Sequence, residues 1–139
     1  MAERCPEGSK RVGLLNCHLL SCRSNAQKVV QPARDETEKI YPGPGMGDRN
    51  GPKDAMRHCI ASCMVTQKVS EDCAWFAGTL REYAPGSDQY PGDEREMDLH
   101  NNAVGRECGR DCKTSCADCC KKKRDNWELE WFPEDRWID

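Results

Sequence analysis

Two short segments carry the residue types that do chemistry. In Asp54-Ala55-Met56-Arg57-His58-Cys59-Ile60-Ala61-Ser62, an Asp, a His and a Ser follow one another at intervals of four. On a helix these three side chains line one stripe. An Asp one turn before a His can accept its Nδ1 proton and fix the tautomer. That leaves Nε2 as a general base toward a water or the Ser62 hydroxyl. A local Asp/His hydrogen bond beside a surface Ser is the plainer reading of the same spacing. The second segment runs from Glu94 to Arg106 and crowds Asp98, His100, Asn101 and Asn102 into positions of poor intrinsic helix propensity. On an ideal helix Glu94, Asp98, Asn101 and Asn102 share an arc of about 100°, while His100 points away from Asp98. The expectation is that Asp98 and the asparagines face inward and that both segments meet in one pocket. The candidate catalytic residues are Asp54, Arg57, His58, Asp98, His100, Asn101 and Asn102. Arg57 and Arg106 could orient carboxylates or hold an anionic substrate, paired surface arginines being the plainer outcome.

The elements that must position these residues are legible in outline. Pro52 before Asp54 suits a helix start, with a carboxylate in the first turn, so a helix is expected from Asp54 to about Val69. Ser70 is a candidate N-cap for a second helix, Glu71 to Tyr83, with Trp75, Phe76 and Leu80 as its apolar stripe. A third and longest helix is expected from Asp93 to Lys123, breaking near Gly105 or Gly109. Ahead of these, residues 1–40 are polar with one short helix around Leu14–Val30. Tyr41 to Pro52 holds four Gly and three Pro in twelve residues and reads as a loop, as do Pro85-Gly86-Ser87-Asp88 and Pro91-Gly92. Trp127-Glu128-Leu129-Glu130-Trp131 alternates with period two and could form a short strand, its tryptophans covering the core.

What holds such a chain together is not an ordinary apolar core. Of 139 residues only 37% are hydrophobic and 6% aromatic, and the mean hydropathy is −0.90. One domain is expected, with a polar N-terminal region over 1–52, a helical core over 53–124 carrying both motifs, and a Trp-rich tail over 125–139. Eleven cysteines supply the missing cohesion, and being odd in number they leave at least one thiol unpaired. Cys59 and Cys63 share a helix face, and Cys108, Cys112 and Cys119 fall within about 40° of one another. Disulfide rungs between the 59/63 pair and the 108/112/116 series would make a stapled helical hairpin. The rival is zinc on Cys116, Cys119, Cys108 and Cys112, which one continuous helix could not wrap around a tetrahedral ion. The fold class is therefore mainly α, a disulfide-stapled helical hairpin or bundle with long loops and at most one short C-terminal strand.

At these residues the chain resembles the toxin-type domains at the C-terminal ends of rearrangement-hotspot and wall-associated bacterial proteins. There a D-A-x-R-H helix is followed by M-D-x-H-N-N-x-x-G-R. The matching residues are Asp54, Ala55, Arg57 and His58, then Met97, Asp98, His100, Asn101, Asn102, Gly105 and Arg106. The resemblance implies a polymorphic-toxin effector of interbacterial competition, delivered by a larger secretion carrier and neutralised by a cognate immunity protein. Where the family has an Asn one turn after the first His, this chain has Ser62, and the cysteine array is this chain's own addition.

Net charge −3 offers no global attraction to nucleic acid, so no stable nucleic-acid partner is expected. The basic run Lys121-Lys122-Lys123-Arg124 reads as a solvated helix end. No stretch is long and apolar enough for a membrane span, and the Met1 end lacks a signal-type apolar run. An export signal is therefore expected elsewhere or on a larger polypeptide. The leading function is a secreted hydrolase acting on phospholipid or peptidoglycan in the periplasm or envelope of a target cell. A metal-dependent nuclease and a non-enzymatic binding or membrane-perturbing module are the alternatives. The cofactor stays open, with a divalent cation such as calcium or magnesium as candidate, and a membrane surface is a candidate partner.

Overall fold

The computed structural model describes residues 14–83 and 92–139, with side chains from Ser21 onward. Its helices are α1 (Leu14–Gln27), α2 (Val30–Ile40), α3 (Pro52–Lys68), α4 (Glu71–Glu82), α5 (Gly92–Asp111) and α6 (Cys116–Asp125), followed by a 3-10 turn, Glu134–Arg136. The protein is thus mainly α and disulfide-stapled. The loop expected around Pro85–Pro91 lies outside the described residues.

Local signals set the two helices that carry the first motif and its neighbour. Gly51 is extended and Pro52 opens α3, where its missing N–H costs nothing. The Ser70 hydroxyl accepts the Cys73 N–H at 3.0 Å and starts α4. In contrast, α2 escaped the sequence pattern, because its polar run Val30–Ile40 carries Pro32 in the first turn, a position that proline tolerates. The expected apolar stripe of α4 is also corrected. Phe76 packs against the core as expected, but Trp75 and Leu80 are 53% and 52% exposed, and α4 turns Cys73 and Ala74 inward beside it.

The long helix expected from Asp93 to Lys123 is two helices, and the break falls at Cys112–Ser115, not at a glycine. Ser115 caps α6 by accepting the Asp118 N–H at 3.1 Å, and the Cys112–Cys119 disulfide closes the corner. The glycines are kept helical by packing. A methyl added at Gly105 would land on the Cys59 carbonyl oxygen and 2.7 Å from Ser62 Cβ, and one at Gly109 would meet Thr66 and lie 2.8 Å from the Cys63 carbonyl oxygen. The two glycines are where α5 lies directly on α3. The contacts Cys59 with Gly105 and Cys63 with Gly109 advance together, so α3 and α5 run in the same direction side by side.

Helix α3 is the central post, packed on α5, α2, α4 and α6. Met56, Ile60, Cys59 and Cys63 on it are fully buried. The staples differ from the expected α3–α5 rungs. Cys59–Cys120 and Cys63–Cys116 tie α3 to an antiparallel α6, Cys112–Cys119 ties the turn after α5 to α6, and Cys22–Cys73 ties α1 to α4. Of the expected rungs only Cys63–Cys116 forms, because the turn at 112–115 brings α6, not α5, to that face of α3. Cys116 and Cys119 enter different cystines, which removes the cysteine zinc site. Cys108 is left as a buried free thiol. Such cystines belong to an oxidising, extracellular-type environment, and no helix among the described residues is long and apolar enough to cross a membrane.

The tail forms no strand. It crosses α5 as single backbone, and the Asn101 side chain does what a partner strand would. Asn101 Nδ2 donates to the Glu130 carbonyl and its Oδ1 accepts the Glu130 N–H, both at 2.8 Å. Beyond it the Phe132 N–H donates to the Asn50 carbonyl and Ile138 pairs with Arg49, which pins the chain end to the 41–51 loop. Trp131 packs on the core, whereas Trp127 is 82% exposed and touches it only through Trp131, the ring centroids 6.0 Å apart.

Candidate functional site

Three helices each present a pair of residues four apart to one seam: Asp54 and His58 on α3, Asp98 and Asn102 on α5, and Gly78 and Glu82 on α4. His58 sits at the junction. Its Nδ1 lies 2.9 Å from Asn102 Oδ1, and its Nε2 lies 3.3 Å from Asp54 Oδ1 and 3.4 Å from Asp98 Oδ1. The two sequence motifs therefore converge as expected. The ring is turned the other way round, however, with Asn102 and not Asp54 on Nδ1. Gly78 makes room for this. A methyl there would lie 3.0 Å from Asn102 Nδ2, so α4 closes over the asparagine only because the position is bare.

Each flanking residue is held by its own contacts. Asp54 is buried at the start of α3, where Oδ2 accepts the Asn50 N–H at 2.8 Å and Oδ1 accepts Arg57 Nη2 at 2.7 Å. Arg57 also donates to the Asp48 carboxylate and carbonyl, clamping the loop to the helix. Asp98 contrasts with Asp54. Its Oδ1 is shielded from solvent and has no hydrogen-bond partner among the described residues. Ser62 is buried and its hydroxyl donates to Asn102 Oδ1 at 3.4 Å, so it belongs to the Nδ1 side of His58 and not to Nε2.

The electrostatics follow from crowding carboxylates around one imidazole. Burial alone would raise Asp54, but its hydrogen bond and charge contact with His58, the Asn50 N–H and the Arg57 charge hold it below the usual carboxylate range. Burial works against a charged His58, yet the Asp54 hydrogen bond and the charges of Asp98, Asp54 and Glu82 raise it to about 9. Asp98 is raised to about 6 by burial and by the charges of Asp54 and Glu94, against His58 and Arg57. Glu82 is raised to about 7 by burial and by Asp98. Groups whose environments separate their pKa values in this way are a mark of acid–base sites.

These residues face an open cleft of about 340 Å³ walled by the 41–51 loop, α3, the end of α4 and the start of α5. Four arginines line it. Arg49 is paired with Glu94 at 3.0 Å and Arg57 with Asp48 and Asp54. Arg81 and Arg95 have no carboxylate within ion-pair distance among the described residues, Arg95 instead donating to the Glu82 carbonyl and stacking on Tyr83. A second hollow of about 350 Å³, beside Met97, Trp127 and Trp131, holds no such cluster.

Of the sequence-derived candidates, Asp54, Arg57, His58, Asp98 and Asn102 come together. Asn101 and His100 do not. Asn101 holds the tail, and His100 Nε2 lies on the Glu128 carbonyl at 2.7 Å on the tail side of α5. Arg106 is half-buried beside the charge of Glu71 and does not line the cleft. The sequence reading missed Asn50, Arg81, Glu82 and Arg95. A signal for Glu82 existed: Ala74, Gly78 and Glu82 recur every fourth residue, and two small residues on such a stripe mark a close helix contact whose next turn faces the same seam.

No solved structure matches this chain. Residues 15–127, which include both motifs and every α4 residue at the seam, match a family described as a domain of unknown function, DUF6973. The chain belongs to that family.

Proposed function

We propose that this protein is a secreted effector of the toxin type, a hydrolase that acts outside the cytosol on a phosphate-bearing component of a target cell envelope. The observation that carries the reading is the convergence of Asp54 and Asp98 on His58 Nε2 at the floor of an open cleft. An Asp/His/Asp centre can bind and orient a water for attack. Glu82, on the neighbouring wall, is placed to accept the proton that water gives up. The water oxygen then bonds to the ester carbonyl carbon or phosphorus, the ester bond breaks, and the proton passes to the departing alkoxide. Arg81 and Arg95, which have no carboxylate within ion-pair distance among the described residues, favour an anionic substrate, which points to phospholipid over peptidoglycan. The resemblance of both motifs to C-terminal toxin domains supports delivery by a larger carrier and control by an immunity protein.

The test is incubation of the purified oxidised chain with anionic phospholipid vesicles, peptidoglycan and plasmid, each with and without EDTA. Lipid hydrolysis is expected. Asp98→Asn and His58→Gln should lower it by about 10²–10⁴-fold while circular dichroism stays unchanged. Cleavage of plasmid with intact vesicles would replace this reading by a nuclease. Turnover of none of the three would leave a binding module.

A further inference from the structure

We propose that Asp54 Oδ1, His58 Nε2 and Asp98 Oδ1 form a binding site for one divalent transition-metal ion of the zinc class. Each of the three residues places a donor atom within 4.8 Å of those of the other two. A charge-assisted N–H···O⁻ bond is about 2.7–2.9 Å long, and Nε2 makes neither contact at that length, standing 3.3 Å from Asp54 and 3.4 Å from Asp98. Those separations match the edge of a tetrahedron with metal–ligand bonds of about 2.0–2.1 Å, which is about 3.4 Å. The shielded Asp98 Oδ1 without a hydrogen-bond partner is independent of that spacing. A carboxylate oxygen kept from water, with His58 Nε2 at 3.4 Å and no hydrogen bond among the described residues, is placed to meet a cation.

The surroundings of the three donors fit the same role. A metal-bound histidine donates its other ring N–H to an oxygen that fixes the tautomer. Here Asn102 Oδ1 sits 2.9 Å from Nδ1, so the ion would take the place of the Nε2 proton. Asp54 is oriented by the Asn50 N–H on Oδ2. Arg57 occupies one lone pair of Oδ1, and the second lone pair is free to ligate. The fourth position opens into the cleft, as in catalytic rather than structural zinc sites. An imidazole donor favours zinc or a neighbouring first-row ion over calcium and magnesium, which take oxygen ligands. When bound, such an ion lowers the pKa of its water. That role rests on the hydrolytic reading above, whereas binding is measured without turnover.

The test is calorimetric titration of the EDTA-stripped, dialysed oxidised chain with zinc chloride, alongside thermal unfolding. One ion per chain with a Kd of about 1 μM or tighter is expected, and at 100-fold excess over Kd the Tm should rise by about 5–10 °C. Asp98→Asn, nearly isosteric, and His58→Gln should each weaken binding by 100-fold or more with unchanged circular dichroism. Asn102→Ala should weaken it about 10–100-fold. Cys108→Ser should bind as the parent does, which separates this site from the sulfur cluster of Cys59, Cys108 and Cys120. No binding at about 1 mM zinc, binding untouched by Asp98→Asn, or binding lost in Cys108→Ser would each overturn the proposal. Zinc binding without turnover would leave the ion in place and remove the hydrolase. Turnover undiminished by EDTA, with no zinc bound, would remove the ion alone.

Discussion

At the residue scale, side chains of one type divide by what their immediate surroundings ask of them. Asn101 and Asn102 are neighbours on one helical arc, and sequence geometry sends both inward. Both are buried, yet only Asn102 reaches the imidazole, because the tail backbone crossing α5 needs a donor and an acceptor that Asn101 supplies. Cys108 shows the same dependence. Its sulfur lies within 4.8 Å of those of Cys59 and Cys120, which are already joined, and burial raises its thiol above the usual range. Because the thiolate is the reactive form, native protein at pH 8 should react with iodoacetamide at Cys108 at least about 10-fold more slowly than the same thiol in 6 M guanidinium. Mass spectrometry of the labelled peptide measures both rates. Equal rates would mean that the thiol is accessible and that α5 does not hold it sealed against α3 and α6.

At the element scale, the α3–α5 seam is set by two glycines whose interhelical role outweighs their helix propensity. Ala at Gly105 would gain about 1 kcal/mol of propensity. It would also drive a methyl onto the Cys59 carbonyl, a backbone atom on a cross-linked helix that has little freedom to shift. Overpacking of this kind costs about 1–3 kcal/mol or more, so Gly105→Ala should show a net loss of about 1–2 kcal/mol by urea unfolding. It should also lower any activity that needs His58 and Asp98 side by side. Gly92→Ala, with nothing within 4 Å of the new methyl, serves as the control and should be neutral or slightly stabilising. A neutral Gly105→Ala would show that the helices can separate freely. Reading Gly105 and Gly109 as breaks is what misplaced the end of α5 in the sequence. Their spacing of four is a contact signal as much as a flexibility signal, and only the partner helix decides between them. α3 and α4 were legible because Pro52 and Ser70 are start signals complete within one turn. The stapling pattern was not, since it depends on α6 turning back toward α3.

At the scale of the whole molecule, cystines stand where a larger domain would have aliphatic and aromatic side chains. Cys59, Cys63 and Cys120 are among the most buried residues, alongside Met56 and Ile60. Three of the cross-links span 51, 61 and 53 residues. Closing loops of that size removes about 4 kcal/mol each from the unfolded chain's advantage on the loop-entropy estimate. Their sum is comparable with the 5–15 kcal/mol that holds a typical domain folded. Reduction should therefore unfold the protein near room temperature, seen as loss of the helical circular dichroism signal in dithiothreitol. A folded reduced form with a Tm within about 5 °C of the oxidised one would refute that weighting. The cross-links also overlap along the chain: Cys22–Cys73 spans the peptide bonds from 22 to 73, and Cys59–Cys120 spans those from 59 to 120. A protease that cuts once anywhere between Cys22 and Cys120 therefore releases no fragment. The nicked protein should run as one species on a non-reducing gel and as two after reduction, with the His58 centre still assembled, so that degradation in a protease-rich medium takes more than one cut.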